Sequence, residues 1–120
     1  MLGPSSWLDQ TALRWPNQEA IFDEELSLSF EVIRRDAIQT AKWFISKGRP
    51  GERVVIALPF SLSSAVFYFG VLFAGMIAVP IDPLLSSDQL RFMIKEIDHL
   101  LVIGSSDLKN NLDSRNFCLV

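Results

Sequence analysis

Cysteine and histidine are almost missing from this sequence: Cys118 and His99 are the only examples among 120 residues. A lone thiol excludes an internal disulfide framework and any multi-cysteine metal site. Positive charge is also in short supply. Eleven Lys and Arg stand against fourteen Asp and Glu, for a formal net charge of −3. That balance lacks the basic footprint nucleic acid demands, so no nucleic-acid partner is expected. The pair Arg34 and Arg35, with Lys47, Arg49 and Arg53, reads as solvated helix and turn positions. The phosphate-binding GxxxxGK[ST] loop, the dinucleotide fingerprint GxGxxG and the nucleophile elbow GxSxG are all absent. The opening MLGPSSWLDQ has no basic start, holds Pro4 and meets Asp9, which excludes a secretory signal. A cytoplasmic location is expected.

Apolar residues are abundant. They make up 49% of the chain, and the mean hydropathy is +0.27. That surplus implies surface meant for a neighbour, while 21% charged residues exclude disorder. Val54 to Ile81 carries no charge at all, enough on paper for a membrane span. Pro59, Ser61, Ser63, Ser64 and Pro80 cut that run into shorter pieces, no Lys/Arg excess flanks it, and Gly70 and Gly75 miss the GxxxG spacing by one. Buried core is the favoured reading, with a membrane-associated protein as the weaker alternative.

The pattern of elements is regular. Ser5 or Ser6 is placed to cap a first helix with Leu8, Ala12 and Trp15 on one face, stopped by Pro16. Residues 20–23 and 26–29 read as two short strands about the acidic turn Glu24–Glu25. Ser29 caps the next helix, whose buried face is Phe30, Ile33, Ala37, Ala41 and Phe44. Lys47 lies in its last turn, Gly48 is expected to supply a left-handed stop, and Pro50–Gly51 to turn the chain.

Residues 53–58 form a continuous β-branched strand, and Ser61 caps a helix over 62–75, which Gly75 ends. That helix is apolar nearly all round and is expected to be the most buried element, with Phe67, Phe69 and Phe73 covered. Residues 77–80 give a short strand and Asp82–Pro83 a turn. Ser86 and Gln89 form a capping box before Leu90, Met93, Ile94 and Ile97. Residues 100–103 make another strand, 107–113 a weak helix, and 117–120 a final strand.

The fold class that follows is α/β: a parallel sheet from consecutive βαβ units with helices on its faces, preceded by a helix and a short hairpin. An apolar strand at 117–120 leaves a sheet edge uncovered, so residues 1–120 read as an incomplete part of a larger N-terminal domain.

Candidate chemistry is thin. Ser61, Ser63 and Ser64 at a helix start resemble a phosphate cradle, but no glycine lets a ligand approach, so a plain cap is preferred. His99, after Asp98, has no nucleophile or second histidine to work with. Asp23, Glu24 and Glu25 read as a solvated turn, and Cys118, in an apolar run, as an inert thiol.

Three stretches are more specific than any single residue: LSFEVI over 28–33, GERVVIALP over 51–59, and LFAGMIAVPIDP over 72–83. In this order and spacing they resemble the start of the acyl-adenylate-forming superfamily. Its members include acyl-CoA synthetases, fatty-acyl-AMP ligases and peptide-synthetase adenylation domains. The first stretch is similar to the family's L-T-Y-x-E-L motif, with Ile33 in place of Leu and Val32 in place of an acid. The last is similar to A-G-x-x-x-V-P-x-D-P. The resemblance covers about residues 7–104.

It implies an ATP-dependent, AMP-forming ligase that makes an acyl-adenylate and then a thioester. ATP, magnesium and CoA or phosphopantetheine belong to the complete enzyme. The family's phosphate loop, magnesium acid, ribose Asp and catalytic lysine come later in its sequences and have no match here. Lys42, Lys47, Lys95 and Lys109 do not follow a glycine-rich loop. No catalytic, cofactor-binding or metal-binding residue is therefore carried over. The run FYFGVLFAGMIAVP is similar to fatty-acid-activating members, whereas PIDP suits amino-acid-activating ones equally. The expected partner is the remainder of the same enzyme, or another copy through the exposed sheet edge. The rival reading is a catalytically dead α/β interaction module.

Overall fold

The computed structural model describes residues 3–111 and 117–119. The chain begins with helix α1 (Pro4–Arg14). Neither Ser5 nor Ser6 caps it. Pro4 takes the first helical position, where its missing N–H and fixed φ cost nothing, and Gly3 stands before it without a side-chain cap. Leu8 and Ala12 are buried, but Trp15, expected on the same face, is half exposed because the helix has already ended.

Strands β1 (Glu19–Phe22) and β2 (Ser27–Ser29) pair antiparallel. Asp23 closes the turn between them, its carboxylate accepting the amides of Glu25 at 2.9 Å and Leu26 at 2.8 Å. Helix α2 (Phe30–Lys47) starts as the sequence implies, with the Ser29 hydroxyl accepting from Val32 N–H at 3.2 Å. Ile33, Ala37, Ala41 and Phe44 are buried along one face. Trp7 of α1 meets Phe30 edge-on at 6.3 Å, and Arg34 bonds Asp9 at 2.7 Å, which ties the two helices together.

Gly48 does not supply a left-handed stop. Its φ of −162° and ψ of −161° are extended backbone open to any residue. A Cβ here would meet the end of the Leu100 side chain, which would have to shift. The left-handed glycines are Gly51 (φ 86°) and Gly75 (φ 74°), joined by a Gly51 N–H to Gly75 carbonyl bond of 2.8 Å.

Four strands make the main sheet: β3 (Arg53–Ala57), β4 (Ile77–Pro80), β5 (Leu101–Gly104) and β6 (Phe117–Leu119). Their order is β4-β3-β5-β6, and every pairing is parallel. Helix α3 (Leu62–Phe73) links β3 to β4, α4 (Ser87–Glu96) links β4 to β5, and α5 (Ser106–Asn111) precedes β6. This is the expected α/β arrangement. The expected helix over 107–113 starts one residue earlier, and residues 112, 113 and 120 lie outside the described residues.

Side chains alternate along the inner strands and divide the core in two. Val54, Ile56, Leu101 and Ile103 face Ala41 and Phe44 of α2 and Val71 of α3. Val55, Ala57 and Val102 face Leu90 and Ile94 of α4 and Leu108 of α5. The chain moves one strand one way with α3 on the first face, then two strands back with α4 on the second. Reversing both direction and face preserves the hand, so the two crossovers share one handedness, as a uniformly twisted sheet requires.

The most buried elements are β3 and β5, not α3. In β3, Val54, Val55, Ile56 and Ala57 are at most 1% exposed, and all of β5 is buried. Helix α3 buries Ser64, Ala65, Gly70 and Val71 and leaves its other apolar residues half-buried, Phe67, Phe69 and Phe73 among them. A helix lies on a sheet by one stripe, while an inner strand is covered on both faces and both edges. The uncharged run at 54–81 is thus divided among β3, α3 and β4. Among the described residues, no helix is long and apolar enough to cross a membrane.

Candidate functional site

The residues weighed from sequence all have structural occupations. Ser61 and Ser64 form a reciprocal capping box: Ser64 N–H donates to the Ser61 hydroxyl at 3.1 Å, and Ser61 N–H donates to the Ser64 hydroxyl at 2.8 Å. Two of the amides at this helix start, those of Ser61 and Ser64, are thus engaged within the cap itself. Ser63 is exposed and lines a shallow groove with Leu28, Asp36 and Phe67. His99 Nδ1 lies 2.7 Å from the Ile97 carbonyl oxygen, which places its proton on Nδ1 and pins the ring at the approach to β5. Asp23, Glu24 and Glu25 are exposed in the hairpin turn. Two backbone amides hold the Asp23 carboxyl below the ordinary value of 3.8. Lys47 stacks over Trp43 at 5.5 Å. Cys118 lies in β6, paired through its backbone with Ile103.

A cleft of about 810 Å³, not singled out in the sequence, opens at the carboxyl ends of the parallel strands. Leu58, Pro59 and Phe60 reach it beyond β3, Pro80 at the end of β4 with residues 81–85 beyond it, and Ser105, Asp107 and Leu108 beyond β5. Tyr68 of α3, with Ser87 and Leu90 of α4, completes the lining. The location has a topological cause. From β3 the chain turns first toward β4 and then back to β5, so the connections leave in opposite directions and part at this end of the sheet.

Local turn chemistry shapes the rim. The Asp82 carboxylate accepts the Leu84 amide at 2.9 Å, which folds residues 82–85 over the mouth. Ser86 and Gln89 then start α4 as a capping box, with Gln89 N–H donating to the Ser86 hydroxyl at 3.2 Å. Burial pushes the Tyr68 hydroxyl above the ordinary tyrosine value of 10.0, so it stays neutral at physiological pH.

Among the described residues the lining holds two carboxylates, Asp82 and Asp107, and no Lys, Arg or His. Those residues therefore offer no cation to the phosphates of ATP or CoA. Among the described residues, no group of three or more His, Cys, Asp or Glu could hold a metal ion. The walls are otherwise apolar.

The family model described as AMP-binding enzyme matches residues 8–117. This chain belongs to that family. It is 33% identical over 110 residues to a dimodular nonribosomal peptide synthase of Bacillus subtilis (strain 168), covering 91% of this chain and 5% of that protein. It is 32% identical over 99 residues to a long-chain-fatty-acid–CoA ligase of the same organism, covering 82% of this chain and 18% of the relative. Among solved structures, O-succinylbenzoate coenzyme A synthetase from Bacillus subtilis, in complex with AMP, superposes with a TM-score of 0.85 at 18% identity. That match covers 94% of this chain and 30% of the other, and establishes a shared fold. The chain thus spans a small part of the length of the relatives it matches, within the acyl-adenylate-forming superfamily.

Proposed function

We propose that residues 1–120 are the N-terminal scaffold portion of an ATP-dependent, AMP-forming carboxylic acid ligase, and that they do no chemistry by themselves. The observation that carries this reading is the family match over residues 8–117. Its support from the molecule is that the motif residues serve the backbone: Ser29 caps α2, Gly75 turns left-handed, and Asp82 closes a turn. ATP, magnesium and CoA or phosphopantetheine are assigned to the complete enzyme on the family membership, and among the described residues the cleft lining has no cation for a phosphate. A peptide synthase and a fatty-acid–CoA ligase match about equally well, so the substrate is assigned only as a carboxylic acid. The compartment that fits this role is the cytoplasm.

The test is ATP–pyrophosphate exchange against a panel of fatty, aromatic and amino acids. The full-length polypeptide is expected to exchange with at least one acid, and isolated residues 1–120 with none. Acid-dependent exchange by the isolated chain would refute the scaffold role. No exchange by the full-length polypeptide with any acid would refute the ligase.

A further inference from the structure

We draw no further inference here: the strongest candidate, the apolar cleft at the carboxyl ends of β3, β4 and β5 with the exposed Phe60 and Leu84 in its lining, carries nothing because nothing in the structure shows what covers it.

Discussion

Helix α3 meets α2 through Gly70, and replacing that glycine by alanine pits two opposed effects against each other. Intrinsic propensity favours alanine in a helix interior by about 0.8–1.0 kcal/mol. The packing opposes it. A Cβ at Gly70 would lie 2.8 Å from Thr40 Cγ2, 2.9 Å from Thr40 Cβ and 3.3 Å from the Ala37 carbonyl oxygen. Thr40 cannot rotate aside cheaply, because it is β-branched and its hydroxyl bonds the Asp36 carbonyl at 2.8 Å. The helices must therefore separate, at an overpacking cost of about 1–3 kcal/mol, taken at the upper end because two of the contacts are close to backbone. The net expectation for Gly70→Ala is a loss of about 1–2 kcal/mol, or a fall of roughly 0.5–1 M in the urea midpoint at unchanged m. Adding Thr40→Ser keeps the hydroxyl and removes Cγ2, and it is expected to recover part of the loss as a coupling between the two sites. A Gly70→Ala chain as stable as the parent, or more so, would show that propensity governs this position and that the helix contact is not tight.

Three further expectations concern other parts of the chain. Ser64→Ala removes one half of the capping box, the hydroxyl that accepts the Ser61 amide, while the Ser64 amide still donates to the Ser61 hydroxyl, and it should cost about 1 kcal/mol in urea unfolding; a change within error would mean that Ser61 caps α3 unaided. The Asp23 carboxyl, held down by the amides of Leu26 and Glu25, should titrate below 3.8 by NMR. Because its folded value is depressed, its contribution to stability is present above the unfolded value and fades as pH falls through the folded one, and a midpoint at or above 3.8 would contradict the turn. Isolated residues 1–120 should self-associate in sedimentation, given Phe60 and Leu84 so exposed, and a sharp monomer at high micromolar concentration would favour a self-sufficient module.

Much of the fold was legible because its signals are local. The strands at 53–57 and 101–104, the caps at Ser29 and Ser86, and the 3.6-residue stripe of Leu90 and Ile94 each lie within a dozen residues. Some misreadings trace to a distant neighbour. The room beside Gly48 is bounded by Leu100, half the chain away, and its own φ is not left-handed. Met93 sits on the apolar spacing of α4 yet is 39% exposed, since the second core closes on Leu90 and Ile94 alone. The cleft gathers residues from five separate stretches, so no contiguous motif announces it. One signal was available in principle: if β3 lies between β4 and β5, the crevice must open beyond the carboxyl ends of those strands. Strand order, however, cannot be read from periodicity.

The same distinction explains why the family motif is recognisable without revealing a substrate. Among the described residues, strand β4 is an edge, paired only with β3. The amides of Ile77 and Ile81 both donate toward β3, to the carbonyls of Glu52 and Ile56 at 2.9 and 3.0 Å. Amides alternate in direction along a strand, so the nitrogen of Pro80 points away from β3, where a missing N–H breaks no ladder bond. Proline there also blunts the edge against a further strand. Gly75 supplies the left-handed turn before β4, and Asp82 the side-chain turn after it. Each residue of AGMIAVPIDP with an identifiable task thus solves a backbone problem at one sheet edge. A backbone problem is the same whichever acid an enzyme activates. A peptide synthase and a fatty-acid ligase can therefore share this segment with nearly equal identity, while the residues that tell their substrates apart must be sought elsewhere in their chains.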